Sequence, residues 1–183
     1  MKVIFCLAVI SLLLTNKESQ AQNNRKMLVA YFSQSGNTEE VANQIKKMSG
    51  ADIFQIIPAK PYPNEYQAIV DQAKKEINEG YQPVLKTQPD DLKQYDVIFV
   101  GSPCWWGTIA PPVATFLANN DLAGKTIVPF MTHEGSRMGH SVADIKKLCP
   151  NSTVLEGLPI RGSQAKEASR DIMAWLKGMK MIP

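Results

Sequence analysis

Met27-Leu28-Val29-Ala30-Tyr31-Phe32, followed without a break by Ser33-Gln34-Ser35-Gly36-Asn37-Thr38 and then by Glu39-Glu40-Val41, is the stretch on which the fold turns. The apolar run predicts a strand buried on both faces, and Val41, Ile45 and Met48 recur at helical spacing behind it. Between strand and helix stand one glycine and three hydroxyl residues, Ser33, Ser35 and Thr38. Such a turn can wrap a phosphate: backbone N–H groups point at the oxygens, hydroxyls donate, and the helix N-terminus favours negative charge, so no lysine or arginine is needed inside it. A plain helix cap reads equally well, with Asn37 at the N-cap and Glu40 three residues on. No strand leads into GxxxxGK[ST] or GxGxxG, which removes nucleoside triphosphatases and ordinary dinucleotide enzymes as first choices.

Outward from this turn, short apolar runs alternate with amphipathic stretches, the βαβ pattern of a parallel sheet covered by helices on both faces. Five strands are predicted, at Met27–Phe32, Ile53–Ile57, Val97–Ser102, Ile127–Thr132 and Thr153–Leu155. Helices are predicted on the stripes Val41/Ile45/Met48 and Tyr66/Ile69/Val70/Ala73/Ile77, the second stopping at Gly80. Three more follow, on Val113/Phe116/Leu117 opened by Pro111-Pro112, on Val142/Ile145/Leu148, and on Ala168/Ile172/Trp175/Leu176/Met179. Pro129 conflicts with its place inside the fourth strand, where a missing donor would break a ladder, and a local bulge is the expectation. A length of 183 residues suits one domain of an α/β class, and no internal repeat or low-complexity linker interrupts it.

The third strand ends in Pro103-Cys104-Trp105-Trp106-Gly107-Thr108 before Pro111-Pro112. In a parallel sheet this segment lies past the strands' carboxyl ends, on the rim that carries Ser33 and where open α/β sheets bind ligands. One indole there can stack on a flat heterocycle while the other packs beneath the loop. A third rim loop, Thr132-His133-Glu134-Gly135-Ser136-Arg137-Met138-Gly139-His140, is polar and glycine-bearing, so its backbone can approach a ligand. Loop histidines are more often solvated than catalytic; His133 is the candidate proton donor and His140 ranks below it.

Taken together, the three loops resemble the flavodoxin family, especially its short members whose third strand ends in a WWG turn before a double proline. The resemblance covers nearly all of residues 26–180. It implies a flavodoxin-like three-layer sandwich with a five-stranded parallel sheet of order 2-1-3-4-5, and flavin mononucleotide (FMN) where that order reverses between strands one and three. It also implies residue roles. Ser33, Ser35, Gly36, Asn37 and Thr38 would hold the flavin phosphate, with Gln34 contributing its backbone. Pro103, Cys104, Trp105, Trp106 and Gly107 would lie along the isoalloxazine ring, and a backbone group near Gly107 would meet the ring nitrogen that gains a proton. Thr132, His133, Glu134, Gly135 and Ser136 would border the pyrimidine side. Two departures stand out: His133 and Glu134 replace small residues usual in that turn, and Cys104 sits where relatives carry an aliphatic residue or threonine. The implied function is FMN-dependent redox work. Either a nicotinamide donor is used to reduce a small acceptor such as a quinone, or electrons pass to a redox partner protein; a binding module without redox work is the third possibility on the same fold.

Ahead of this domain, Lys2 precedes an apolar run from Val3 to Leu14, and Ser19-Gln20-Ala21 offers the small residues a signal peptidase reads. Residues 1–21 are therefore expected to be a cleavable export signal, too short to span a bilayer, and the protein to be exported to the periplasm. Cleavage would lower the net charge from +3 to +2, by loss of Lys2, Lys17 and Glu18. So small a charge, with Lys-Lys pairs dispersed over three helices, argues against nucleic acid; acidic carrier flavodoxins differ from it in sign. Neither a metal site nor a membrane span of the mature chain is expected. Cys104 and Cys149 fall at opposite ends of the predicted fold and are expected as free thiols.

Overall fold

The computed structural model describes residues 25–183, so the expected export signal at 1–21 lies outside the described residues. Strands β1 (Met27–Tyr31), β2 (Asp52–Gln55), β3 (Val97–Trp105) and β5 (Thr126–His133) pair in parallel in the order β2-β1-β3-β5. The register runs Tyr31↔Gly101 and Gly101↔Phe130, which brings the carboxyl ends of the three central strands to one rim. Helix α1 (Asn37–Ser49) and the closing α5 (Ser169–Gly178) cover one face, burying Val41, Ala42, Ile45, Ile172 and Leu176 against Val29, Phe99 and Phe130. On the other face, α3 (Pro111–Ala118) and α4 (Ser141–Leu148) bury Val113, Phe116, Leu117 and Ile145 against Leu28, Ile98 and Met131. Helix α2 (Tyr66–Glu79) lies on that second face too, against β3 and α3. The result is the three-layer α/β sandwich in the expected strand order. Among the described residues no helix is long and apolar enough to cross a membrane.

Three details differ from the sequence reading. The fifth strand comes in two pieces, β6 (Thr153–Val154) and β7 (Leu158–Arg161), both parallel to β5. Pairing Ile127↔Val154 but Phe130↔Leu158 means the β6–β7 side carries one more residue than β5 over the same span. The extra residue lies opposite Pro129, whose own strand keeps unbroken register with β3, so the bulge is in the neighbour. Ile127 accepts from Leu155 across that same edge, so by alternation Pro129 turns its nitrogen, which has no proton to donate, to the gap between β6 and β7, where the ladder is already interrupted. Second, β3 continues past Ser102 to Trp105 and folds back as β4 (Thr108–Ile109) in an antiparallel hairpin. Third, a 3-10 segment, Gly162–Glu167, leads into α5.

Candidate functional site

At the end of β1, Phe32 donates its N–H to the Gly101 carbonyl (3.0 Å), holding the chain in the sheet one residue longer. Ser33 Oγ then accepts from the Gly36 N–H (3.1 Å), and Gly36, at φ 90°, turns the chain into α1 and accepts from the Glu40 N–H (2.9 Å). A positive φ is cheap only for glycine, which explains the residue. Gly36 itself is the N-cap and no side chain caps α1, so the alternative cap built on Asn37 and Glu40 does not form: Asn37 is already the first helical residue. The first-turn amides and the positive end of the helix are left to the rim, beside exposed Ser35 and Gly36. Gln34 reaches sideways to donate to the Pro63 carbonyl (3.2 Å). Thr38 is buried, and its hydroxyl meets the Thr132 hydroxyl at 2.7 Å beneath the turn.

The β3–β4 hairpin closes through Trp106 (φ 51°) and Gly107 (φ 81°), two successive left-handed residues as in a type I′ turn, whose twist matches antiparallel strands. Its base is fixed by buried Ser102, whose Oγ accepts the Ala110 N–H (2.8 Å). The two indoles divide their work. Trp105 turns inward, edge-on to Phe32 (5.5 Å between centroids) and Tyr62 (5.0 Å). Trp106 is 49% exposed and leans across α2, donating Nε1–H to the Val70 carbonyl (3.1 Å) beneath Lys74 Nζ at 4.6 Å from the ring. Between hairpin and helix runs a trough of about 380 Å³, bordered by Cys104, Trp105, Trp106, Gly107 and Ser136 and, from α2, by Tyr66, Ile69, Val70 and Ala73. The α2 residues are absent from the sequence-derived site. Their spacing reads as a buried stripe, yet only Ala73 is buried and Tyr66 is 77% exposed, because the trough occupies the side where a sheet would otherwise press.

The loop after β5 ties these two segments together. Thr132 reaches the α1 turn through Thr38, and a Cβ placed on Gly162 would fall 2.5 Å from both Asn37 Nδ2 and Glu134 Oε1, so Asn37, Glu134 and the start of the 3-10 segment crowd one spot. Exposed Ser136 reaches the trough, and the His140 N–H donates to the Gly107 carbonyl (2.8 Å). His133 is half-buried, its Nδ1 is sealed from solvent without a partner, and its pKa is held below the ordinary value, first by desolvation and then by Arg137 and Arg161, against a smaller opposing pull from Glu134. His140 is placed differently: Nδ1 lies 2.5 Å from Asp144 Oδ2, an oxygen that also accepts from the Thr108 hydroxyl at 2.6 Å. Burial works to raise the Asp144 pKa, but hydrogen bonds from Thr108, Lys147 and His140 outweigh it and hold the carboxyl low.

Thus Ser33–Thr38, Pro103–Gly107 and Thr132–Ser136 share one rim. The hydroxyls of Thr38 and Thr132 and the ring of Trp105 point into the protein, while Ser35, Gly36, Trp106, Glu134, Gly135 and Ser136 face out. Cys104 borders the trough as a free thiol; Cys149, also free, is buried after α4, and burial pushes its pKa up to about 11. A larger cavity, about 490 Å³ beside Lys26, Ser49 and Met181, lies at the opposite rim where the strands start and joins no hydroxyl turn to a ring platform.

Comparison with known proteins gives the same picture. A family model described as Flavodoxin matches residues 26–179. A candidate flavoprotein of Bacteroides eggerthii is 33% identical, with a TM-score of 0.76 over 85% of this chain and 98% of that one. One from Bacteroides uniformis is 27% identical at a TM-score of 0.75, covering 84% and 98%. The flavoprotein of Lactobacillus acidophilus, solved in complex with FMN, is similar in fold at 23% identity and a TM-score of 0.66, covering 78% and 97%. No curated protein matches the chain.

Proposed function

The chain belongs to the flavodoxin family, whose model spans residues 26–179, and from that premise we propose that it is an FMN-binding redox protein that reduces a small acceptor such as a quinone with electrons from a reduced nicotinamide. The observation that carries this reading is the N-terminus of α1, uncapped by any side chain and opening onto the same rim as the indole hairpin. The residues fit the cofactor. A Cβ on Gly36 would meet nothing within 4 Å, leaving open space for a phosphate over the turn. The trough of about 380 Å³ is apolar on its α2 side and falls within the ~300–1,000 Å³ of small-molecule sites. The trough opens beside the β3–β4 hairpin at the carboxyl rim, the rim at which open α/β sheets bind ligands, and flavodoxins are themselves a standing example of that rule.

In this reading the Ser33–Thr38 turn holds the phosphate through its amides and the Ser33 and Ser35 hydroxyls, and Thr132 keeps Thr38 and the helix start in position from below. Trp106, Gly107 and the face of α2, which border the trough, would flank the flat ring and exclude water from it. FMN, when bound, supplies the electron chemistry. The net charge, +3 for the whole chain and +2 without residues 1–21, is opposite in sign to that of an acidic carrier that docks on basic partners and favours an enzyme.

Absorbance of the purified protein and turnover of NADH or NADPH with a quinone test the proposal. Yellow protein that oxidises the nicotinamide without another protein supports it. Yellow protein with negligible turnover supports the carrier, and colourless protein that refuses added FMN overturns both.

A further inference from the structure

We propose that the groove next to the trough binds an apolar side chain of the acceptor, which makes that acceptor a quinone bearing a prenyl tail; this rests on the reading of the trough as the flavin site. The groove, about 390 Å³, continues the seam between α2 and the β3–β4 hairpin. On the α2 side the lining passes from Ala73, which borders the trough, to Ile77 and Gly80, one and two turns further on. On the hairpin side it passes from Gly107 in the trough to Thr108 and Ile109 in the groove. His140, on the groove, stands 3.5 Å from where a Cβ on Gly107 would be, so the two hollows adjoin at that residue. Each falls within the ~300–1,000 Å³ of small-molecule sites.

The chemistry of the lining selects the occupant. Charged groups stand at the groove, but each already faces a partner within the protein. Asp144 accepts from Thr108 (2.6 Å) and Lys147 (3.0 Å) and meets His140 Nδ1 at 2.5 Å. Glu76, buried at the α2 side, accepts from the Tyr62 hydroxyl (2.5 Å) and from Gln72 (2.8 Å). The surface left over is apolar. Ile109 is buried in the floor, whereas Ile77 of α2, Ala114 of α3 and Leu148 of α4 are only half-covered, and the ring of Tyr81 is exposed beside them. A charged ligand finds no unmatched charge here and would have to break existing pairs. A hydrocarbon chain leaves those pairs intact and covers the apolar surface that three helices leave open to water. A quinone ring seated in the trough has its substituents directed along the seam, and the groove is where a chain of that kind runs.

The test is calorimetric titration of the flavin-loaded protein with one benzoquinone head group carrying no tail, then one prenyl unit, then two. The expected result is roughly 10-fold or more tighter binding with the first prenyl unit, from apolar area removed from water. Ala114→Phe, which fills the groove from α3, and Ile77→Glu, which places a charge in it from α2, should each bring the tailed and tailless quinones to the same affinity while still taking up FMN. Equal affinities in wild type, or a gain that survives both variants, overturn the assignment of the groove and leave the proposed function standing. Yellow protein that binds none of the three quinones overturns the acceptor and the groove together. Wild-type protein that takes up no FMN overturns the flavin site on which both rest.

Discussion

The hydroxyl pair Thr38–Thr132 bolts the α1 turn to the end of β5, and its removal tests whether the turn is held from below. Thr38 is 1% and Thr132 is 5% exposed, and their oxygens are 2.7 Å apart, so neither has water as a substitute partner. Threonine to valine preserves the shape and deletes only the hydroxyl. Thr132→Val strands the Thr38 hydroxyl in a buried place, and Thr38→Val does the reverse. Each single variant should therefore lose about 1–3 kcal/mol, the cost of leaving a buried polar group unpaired. Replacing both partners with apolar groups removes the pair without stranding either, so Thr38→Val/Thr132→Val should lose less than the sum, and less than either single variant if the pair is fully dry. Urea unfolding of flavin-free protein reads this without a contribution from ligand linkage. With a urea m-value of about 2 kcal/mol/M, a 2 kcal/mol loss moves the midpoint by about 1 M. Additive losses in the double variant would mean that each hydroxyl bonds elsewhere and that the pair does not hold the turn.

Other expectations concern the ligand, pH and processing. Ser35→Ala should weaken FMN by roughly 1.5–3 kcal/mol, the worth of a hydrogen bond to a charged group, and leave riboflavin affinity unchanged; a fluorescence titration of both flavins checks it. Gly36→Ala meets no steric obstacle but must hold φ near 90°, so a loss of stability of about 1 kcal/mol or more is expected in thermal or urea unfolding. His133 has a depressed folded pKa, so its contribution to stability is complete above the unfolded value of about 6.5 and is lost as pH falls through the folded one. Wild type should therefore weaken more than His133→Gln as the pH is lowered from 7 to 5, and parallel curves would contradict this. If residues 1–21 act as an export signal, the exported protein begins at Gln22, which N-terminal sequencing or intact mass reads directly; a retained leader counts against that reading.

The central strands and both helical layers were legible in the sequence because β1, β3 and β5 are buried on both faces and write that burial as unbroken apolar runs. What was hidden depends on contacts outside a local window. The Thr108–Ile109 strand is too short to show a period, and Trp106 at a positive φ is a turn residue no propensity would select. Leu158–Arg161 is broken by Pro159 and separated from Thr153–Val154 by the extra residue that also explains Pro129. The stripe Tyr66/Ile69/Val70/Ala73 announces an amphipathic helix, yet spacing alone does not distinguish a face pressed on a sheet from one lining a trough. At the α1 turn the capping spacing of Asn37 and Glu40 competed with the glycine. Gly36 took the cap because its left-handed φ brings the chain round one residue earlier. The hold of Asp144 on His140 was hidden for a related reason: Asp144 is four residues away in sequence, but it is itself fixed by Thr108 from a different element.

A diffraction structure of the protein crystallised with FMN tests most directly whether the α1 turn and the indole hairpin hold one flavin between them. The expected result is the phosphorus over Gly36, with its oxygens accepting from the amides of the α1 turn and from the Ser35 hydroxyl, and the tricyclic ring in the trough beside Trp106 and Gly107. A phosphate seated anywhere else, or a ring lying outside the trough, would contradict it.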